Sequence, residues 1–137
     1  MLVRLMLAGV LLAHAAIHVA FIAPPPPATA GGPSWPFRTD DSWLLTRLGV
    51  GSNELHLVAL ALVALTIGAF GLAALVAVGI APAAAWMPAI AAGAMASLAL
   101  LITFFHPWLV LGIAIDLAVL WFGLVVGWVP TTAEPGL

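Results

Sequence analysis

Cysteine is absent from this chain, lysine is absent too, and charged residues make up only 6% of it. Without cysteine there is no disulfide, no CxxC redox couple, no thiolate metal site and no c-type haem attachment. Without lysine the side-chain cations are Arg4, Arg38 and Arg47, and the formal net charge is −2. No basic cluster is available to neutralise a phosphate backbone or to capture anionic lipid, which excludes nucleic-acid binding and polybasic membrane adhesion. A phosphate loop, a nucleotide motif and a nucleophile elbow are also missing, so the chain carries no enzyme signature.

What fills the chain instead is apolar. Hydrophobic residues reach 65% and the mean hydropathy is +1.26, against roughly half apolar and a quarter charged in soluble domains. Four apolar runs, over about residues 2–23, 55–80, 84–105 and 109–129, are each long enough to cross a hydrocarbon layer of roughly 30 Å as a helix. The last two must be separate helices. From Ala84 to Val129 a single straight helix would run to roughly 69 Å at 1.5 Å per residue, and the proline of His106-Pro107 removes a helical hydrogen bond where the chain has to turn. The expected fold is therefore all-α, an integral membrane bundle of four transmembrane helices in one domain. Its partner is the lipid bilayer. Small-residue stripes at Ala64/Gly68, Ala69/Ala73, Ala89/Gly93/Ser97 and Gly123/Gly127 let helix backbones approach closely, within the chain or against a second copy or another membrane protein.

One extramembrane loop, at about 24–53, joins the first two spans. Pro24 to Pro27 end the first helix, and Gly31, Gly32, Pro33 and Pro36 keep the chain irregular. Ala28-Thr29-Ala30 has the form of a signal-peptide site with cleavage after Ala30. The apolar run before it is about 20 residues with two histidines, longer than the 7–15 of a signal core, so a retained helix is expected. Asp40, Asp41 and Ser42 offer caps to a short interfacial helix at 43–48, with Trp35, Phe37 and Trp43 at headgroup level. Arg47 is expected to pair with Asp40 or Asp41 at the surface. Ser52 or Asn53 caps the second span, and Glu54 falls in its first turn, where the helix dipole favours a carboxylate. Pro82 opens the third span, Pro88 should bend its first turns, and 131–137 form a short polar tail. Four spans put both termini on one side. Trp35, Trp43 and Trp108 mark the loop side, with Trp86 and Trp128 on the other. We take the membrane as a bacterial inner membrane with the termini cytoplasmic.

The candidate site is a set of polar groups inside this apolar frame. His14 and His18 stand one helical turn apart on one face of the first span. At 1.5 Å per residue they lie roughly 13 and 7 Å below its loop-side end. Asp116 lies at a depth comparable with His14, on the stripe of Gly112, Gly123 and Gly127 that should face the bundle. His14, His18 and Asp116 thus form a polar cluster in one half of the bilayer. Glu54, His56 and His106 fall near the interface, as solvated caps or headgroup contacts. The cluster admits three readings: a hydrogen-bonded clip that fixes helix register, a site for haem b or a metal ion with His14 and His18 as ligands, and a proton or small-solute path, which four helices would form as an oligomer.

The segments Leu12-Ala-His14-Ala-Ala-Ile-His18-Val-Ala-Phe21, Leu45-Thr-Arg47-Leu-Gly49 and Phe104-Phe-His106-Pro-Trp-Leu-Val-Leu-Gly112-Ile-Ala-Ile-Asp116-Leu resemble small, mostly uncharacterised four-helix bacterial membrane proteins of a DoxX-like kind. The resemblance implies a four-helix membrane bundle with a recurring histidine pair on the first helix, and it supplies no substrate. In such proteins the last helix often carries asparagine where this chain has Asp116.

Overall fold

A computed structural model describes residues 1–27, 30–32, 34–127 and 129–130. Among these the chain is all-helical, with no strand. Helix α1 (Leu2–Ile17) tightens into a 3₁₀ turn over His18–Phe21. Helix α2 spans Ser52–Ala77. Helix α3 (Trp86–Thr103) is preceded by a 3₁₀ turn at Ala83–Ala85. Helix α4 (Val110–Leu120) is entered through a 3₁₀ turn at Pro107–Leu109 and leaves through a π turn at Trp121–Val125. With these turns, four helices are long and apolar enough to cross a membrane: Leu2–Phe21, Ser52–Ala77, Ala83–Thr103 and Pro107–Val125.

The helix ends differ from the sequence expectation for identifiable reasons. The second span stops at Ala77 because Gly79 takes the left-handed conformation, with φ +84°. Its N–H then donates to Val76 O and that of Ile80 to Leu75 O, both at 2.9 Å. This is a Schellman stop that satisfies carbonyls the helix would leave free. Gly127 has φ +65° and lies beyond the last helical turn. The fourth span accordingly ends at Val125, not near 129, and Gly127 forms no packing stripe with Gly123. Neither Ser52 nor Asn53 caps α2; Gly51 is its N-cap, and the Glu54 carboxylate lies back against that glycine. Pro88 sits in the first turn of α3, where a missing N–H loses nothing. The turn at His106-Pro107 stands as expected, with His106 extended at φ −137° and ψ 144°, the geometry that a following proline favours. Ala28, Thr29, Pro33, Trp128 and 131–137 lie outside the described residues. The cleavage motif, the second tryptophan belt's Trp128 and the polar tail lie with them, in whole or in part.

Packing follows chain order, α1 on α2, α2 on α3 and α3 on α4. Arg4 Nε donates to Ala77 O at 2.6 Å, tying the start of α1 to the end of α2, where the helix dipole favours a cation. At the other end the 34–51 segment folds over the α3–α4 turn. Trp43 Nε1 donates to Ile102 O at 2.7 Å and Ser42 Oγ to Thr103 O at 2.6 Å. Both acceptors belong to the last turn of α3, whose carbonyls have no helical partner. The expected interfacial helix shrinks to a turn and the 3₁₀ segment Thr46–Leu48. Asp41 accepts from Thr46 Oγ1, and Asp40 pairs with Arg38, not Arg47.

Small residues share the inside with Trp86, Phe70, Leu11, Leu55, Ile90 and Leu100, and many large apolar side chains lie outside. Alanine is the commonest buried residue, at Ala59, Ala73, Ala77, Ala89 and Ala94 among others, while Leu2, Met6, Val10, Leu57, Leu65, Met95 and Leu111 face outward. The Ala69/Ala73 stripe packs between helices; the Ala64/Gly68 stripe points outward. Gly93 lets the Phe70 ring lie against α3: a Cβ there would fall 2.9 Å from that ring.

Candidate functional site

The helix ends set the depth of the polar groups, and the glycine contacts set their closeness. His14 and His18 lie on the buried face of the first span, with ring centroids 5.0 Å apart and nearly perpendicular. Phe70 of α2, held against Gly93, meets the His14 ring edge-on at 5.4 Å. Gly112 of α4 brings that helix toward Leu101 and His14; a Cβ on it would fall 2.9 Å from Leu101 Cδ1.

Across this gap the structure places His14 Nε2 2.8 Å from Asp116 Oδ1. Asp116 Oδ2 lies 2.5 Å from Ser97 Oγ of α3, and Ser97 Oγ lies 2.7 Å from His18 Nε2. His18 Nδ1 is 2.9 Å from the backbone oxygen of His14. A single chain of hydrogen bonds therefore joins α1, α3 and α4. All four side chains are buried, Ser97 and Asp116 completely.

Proton counting limits what this chain can be. A carbonyl only accepts, so His18 Nδ1 carries a hydrogen. The single hydroxyl hydrogen of Ser97 then leaves two arrangements with every contact filled and no net charge. In one, Ser97 donates to an Asp116 carboxylate and a doubly protonated His18 donates to Ser97. In the other, a protonated Asp116 donates to Ser97 and Ser97 donates to a neutral His18. In both, neutral His14 donates from Nε2 to Asp116 Oδ1. The two interconvert when two protons shift along Asp116–Ser97–His18. Removing a proton from either leaves one contact with no hydrogen, which a dry site penalises.

Ser97 joins the cluster although sequence reading placed it only in a small-residue stripe. That stripe held the signal: a hydroxyl on the packed face of α3, near the depth of Asp116. The metal expectation for His14 and His18 meets a geometric objection. Both nitrogens of His18 are engaged, one by the carbonyl of its own helix and one by Ser97, while His14 turns Nε2 to Asp116. The pair converges on no shared ligand position, and among the described residues no three histidine or acidic side chains gather to hold a metal. This donor set does not fit a metal ion or a haem iron.

The interfacial groups stand apart from the cluster. His56 Nδ1 meets Thr39 Oγ1 at 3.1 Å, and His106 Nε2 meets Ser34 Oγ at 3.2 Å. Both tie the 34–51 segment to helix ends. Arg38 donates to both oxygens of Asp40, at 2.9 and 2.6 Å. That fork holds the Asp40 carboxyl below its ordinary range and pushes Arg38 up.

No family model, no curated protein and no solved structure matches this chain.

Proposed function

We propose that the chain is a four-helix integral membrane protein of accessory or structural type, in which the His14–Asp116–Ser97–His18 network clips α1, α3 and α4 in register. The observation that carries this is the closed hydrogen-bond chain across three otherwise apolar helices. Its surroundings support the membrane assignment. Large apolar side chains cover much of the outer surface, which water would penalise at about 25 cal/mol per Å² of apolar area and lipid does not. The resemblance to DoxX-like proteins supports the same architecture. We place the termini on the cytoplasmic face of a bacterial inner membrane as part of the proposal.

Three measurements test it. The protein should stay in the membrane pellet after an alkaline wash, and release into the supernatant would refute membrane insertion. Ser97→Ala breaks the chain at its centre, leaving His18 Nε2 and Asp116 Oδ2 without their partner. It should lower stability against denaturing detergent by about 1–3 kcal/mol, the usual cost of a buried polar group left unpaired. A Ser97→Ala protein as stable as the parent would refute the clip. A reporter fused to the C-terminus tests its side.

A further inference from the structure

Two cavities lead from the loop end of the bundle to the polar cluster, and they share a wall. The outer one, about 540 Å³, lies beside the 34–51 segment and is lined by Trp35, Arg38, Thr39, Asp40 and His56. The inner one, about 130 Å³, lies between α1 and α4 and is lined by His14, His18, Leu101, Trp108 and Gly112. Phe21 and Phe37 line both. Their rings meet edge-on at 5.1 Å between the two spaces; the inner one also opens between Ile17, Trp108 and Leu111, all exposed on the outer face, where an inserted chain meets lipid and not water.

Toward the terminal end the seam between α1 and α4 changes character. There a cavity of about 350 Å³ is walled by Leu7, Leu11, Trp86, Ile90 and Phe122. An apolar space of that kind stays dry, whereas a cavity with polar partners and volume for more than one molecule holds water. The inner cavity has the volume, and the ring nitrogen of His14 that does not face Asp116 is the polar group it offers to water, since both nitrogens of His18 are engaged. Asp116 is fully buried behind His14, so the polar route ends there.

We propose that the His14–Asp116–Ser97–His18 network is a proton-binding site reached by water from the loop side only, through the Phe21/Phe37 constriction. Hydronium in the inner cavity gives one proton to the ring nitrogen of His14 that does not face Asp116 and leaves as water. His14 then carries the charge while its Nε2–H stays on Asp116, and release is the reverse. The groups facing the network are few: His14 and His18 from α1, Ser97 from α3, Asp116 from α4, apolar Phe70 from α2 and Phe37 from the loop, with Arg38, Asp40 and His56 beyond it. The inference goes past the clip and rests only on membrane insertion.

The absence of cysteine makes the test direct, since one introduced thiol is the only one in the chain. Leu101→Cys places it in the inner cavity, Ile90→Cys in the dry one, and Leu65→Cys on the outer surface. Each is reacted in proteoliposomes with a charged, membrane-impermeant thiol reagent. The thiolate that reacts needs water, so Leu101→Cys should react at least about tenfold faster than Ile90→Cys or Leu65→Cys. Adding Phe37→Ala should speed it further. In ¹⁵N-histidine-labelled protein lacking His56 and His106 through His56→Gln and His106→Gln, the ring N–H groups should exchange with D₂O, and Phe37→Ala should speed that too. Leu101→Cys as slow as Ile90→Cys, or ring exchange indifferent to Phe37→Ala, would overturn the water route and leave membrane insertion standing. Rapid reaction at Leu65→Cys would instead overturn insertion.

Discussion

Asp116 offers the sharpest perturbation, because replacing it by leucine and by asparagine separates the two proton arrangements of the network. Asp116→Leu removes the groups that meet His14 Nε2 and Ser97 Oγ. Ser97 can then turn its hydroxyl to His18, so one orphan remains, the Nε2–H of His14. If Asp116 is protonated and every member is uncharged, the loss is that of one buried unpaired donor, about 1–3 kcal/mol. If Asp116 is a carboxylate facing a protonated His18, the substitution strands a buried charge, and the loss is about 3–5 kcal/mol. Asp116→Asn copies the protonated acid: its oxygen accepts from His14 and its N–H donates to Ser97, which donates to His18. With every contact kept, Asn should stay within about 1 kcal/mol of the parent, the size of one ordinary net hydrogen bond. The assay is reversible unfolding in mixed micelles followed by tryptophan fluorescence, on Asp116→Leu, Asp116→Asn, His14→Leu and the His14→Leu/Asp116→Leu pair. Because the double variant has no orphan, the cycle should show a coupling of about 0.5–3 kcal/mol. Additive losses would refute the pairing, and asparagine as damaging as leucine would refute the proton count.

Three further outcomes follow from local geometry. Gly93→Ala drives a methyl to 2.9–3.1 Å from three Phe70 ring atoms and, through that ring, onto His14; a loss of about 1–3 kcal/mol is expected in the same unfolding assay, and a neutral result would show that Phe70 is free to move. Gly79→Ala forces a side chain into a left-handed backbone beside Arg4 Nη2, with an expected cost of about 1–2 kcal/mol. Arg38→Ala should cost no more than about 1 kcal/mol at neutral pH, since the pair is largely exposed and such pairs contribute about 0–1 kcal/mol. Because Arg38 holds the Asp40 carboxyl below its ordinary value, that contribution is complete above the ordinary carboxylate range and disappears as pH falls through the lowered value. Stability curves of parent and Arg38→Ala should therefore converge in acid, and curves that stay apart there would contradict the assignment.

The existence of four helices was legible because it rests on run length and hydropathy, which the chain carries locally. Their ends were less so. Nothing in the residues around Gly79 or Gly127 tells which glycine will adopt a positive φ, so the sequence carries the ends of the second and fourth spans a few residues too far, to 80 and 129 against Ala77 and Val125. His14, His18 and Asp116 could be singled out by depth and helical face, since polar groups are costly in an apolar run. Ser97 was not, because serine in a small-residue stripe satisfies close packing without any hydrogen bond. The loop pairing was misassigned for a related reason: opposite charges near Asp40 include both Arg38 and Arg47, and only the bend of the chain decides between them. The contact of Phe21 with Phe37 was not legible either: the sequence places Phe37 only at headgroup level, and the two rings meet because a helix end comes against a distant loop.

The order in which the helices pack has a bearing on how the protein is assembled. The α2–α3 hairpin closes on the short Gly79–Pro82 turn and forms the centre of the bundle. The outer helices lean on it, α1 on α2 and α4 on α3, and face each other where His14 meets Asp116. His14 and Asp116 consequently cannot meet until both outer helices have docked. The polar chain is therefore completed last. A copy halted before that point presents an unpaired carboxyl and imidazole to the membrane interior, so a group of four side chains distinguishes a finished molecule from an unfinished one.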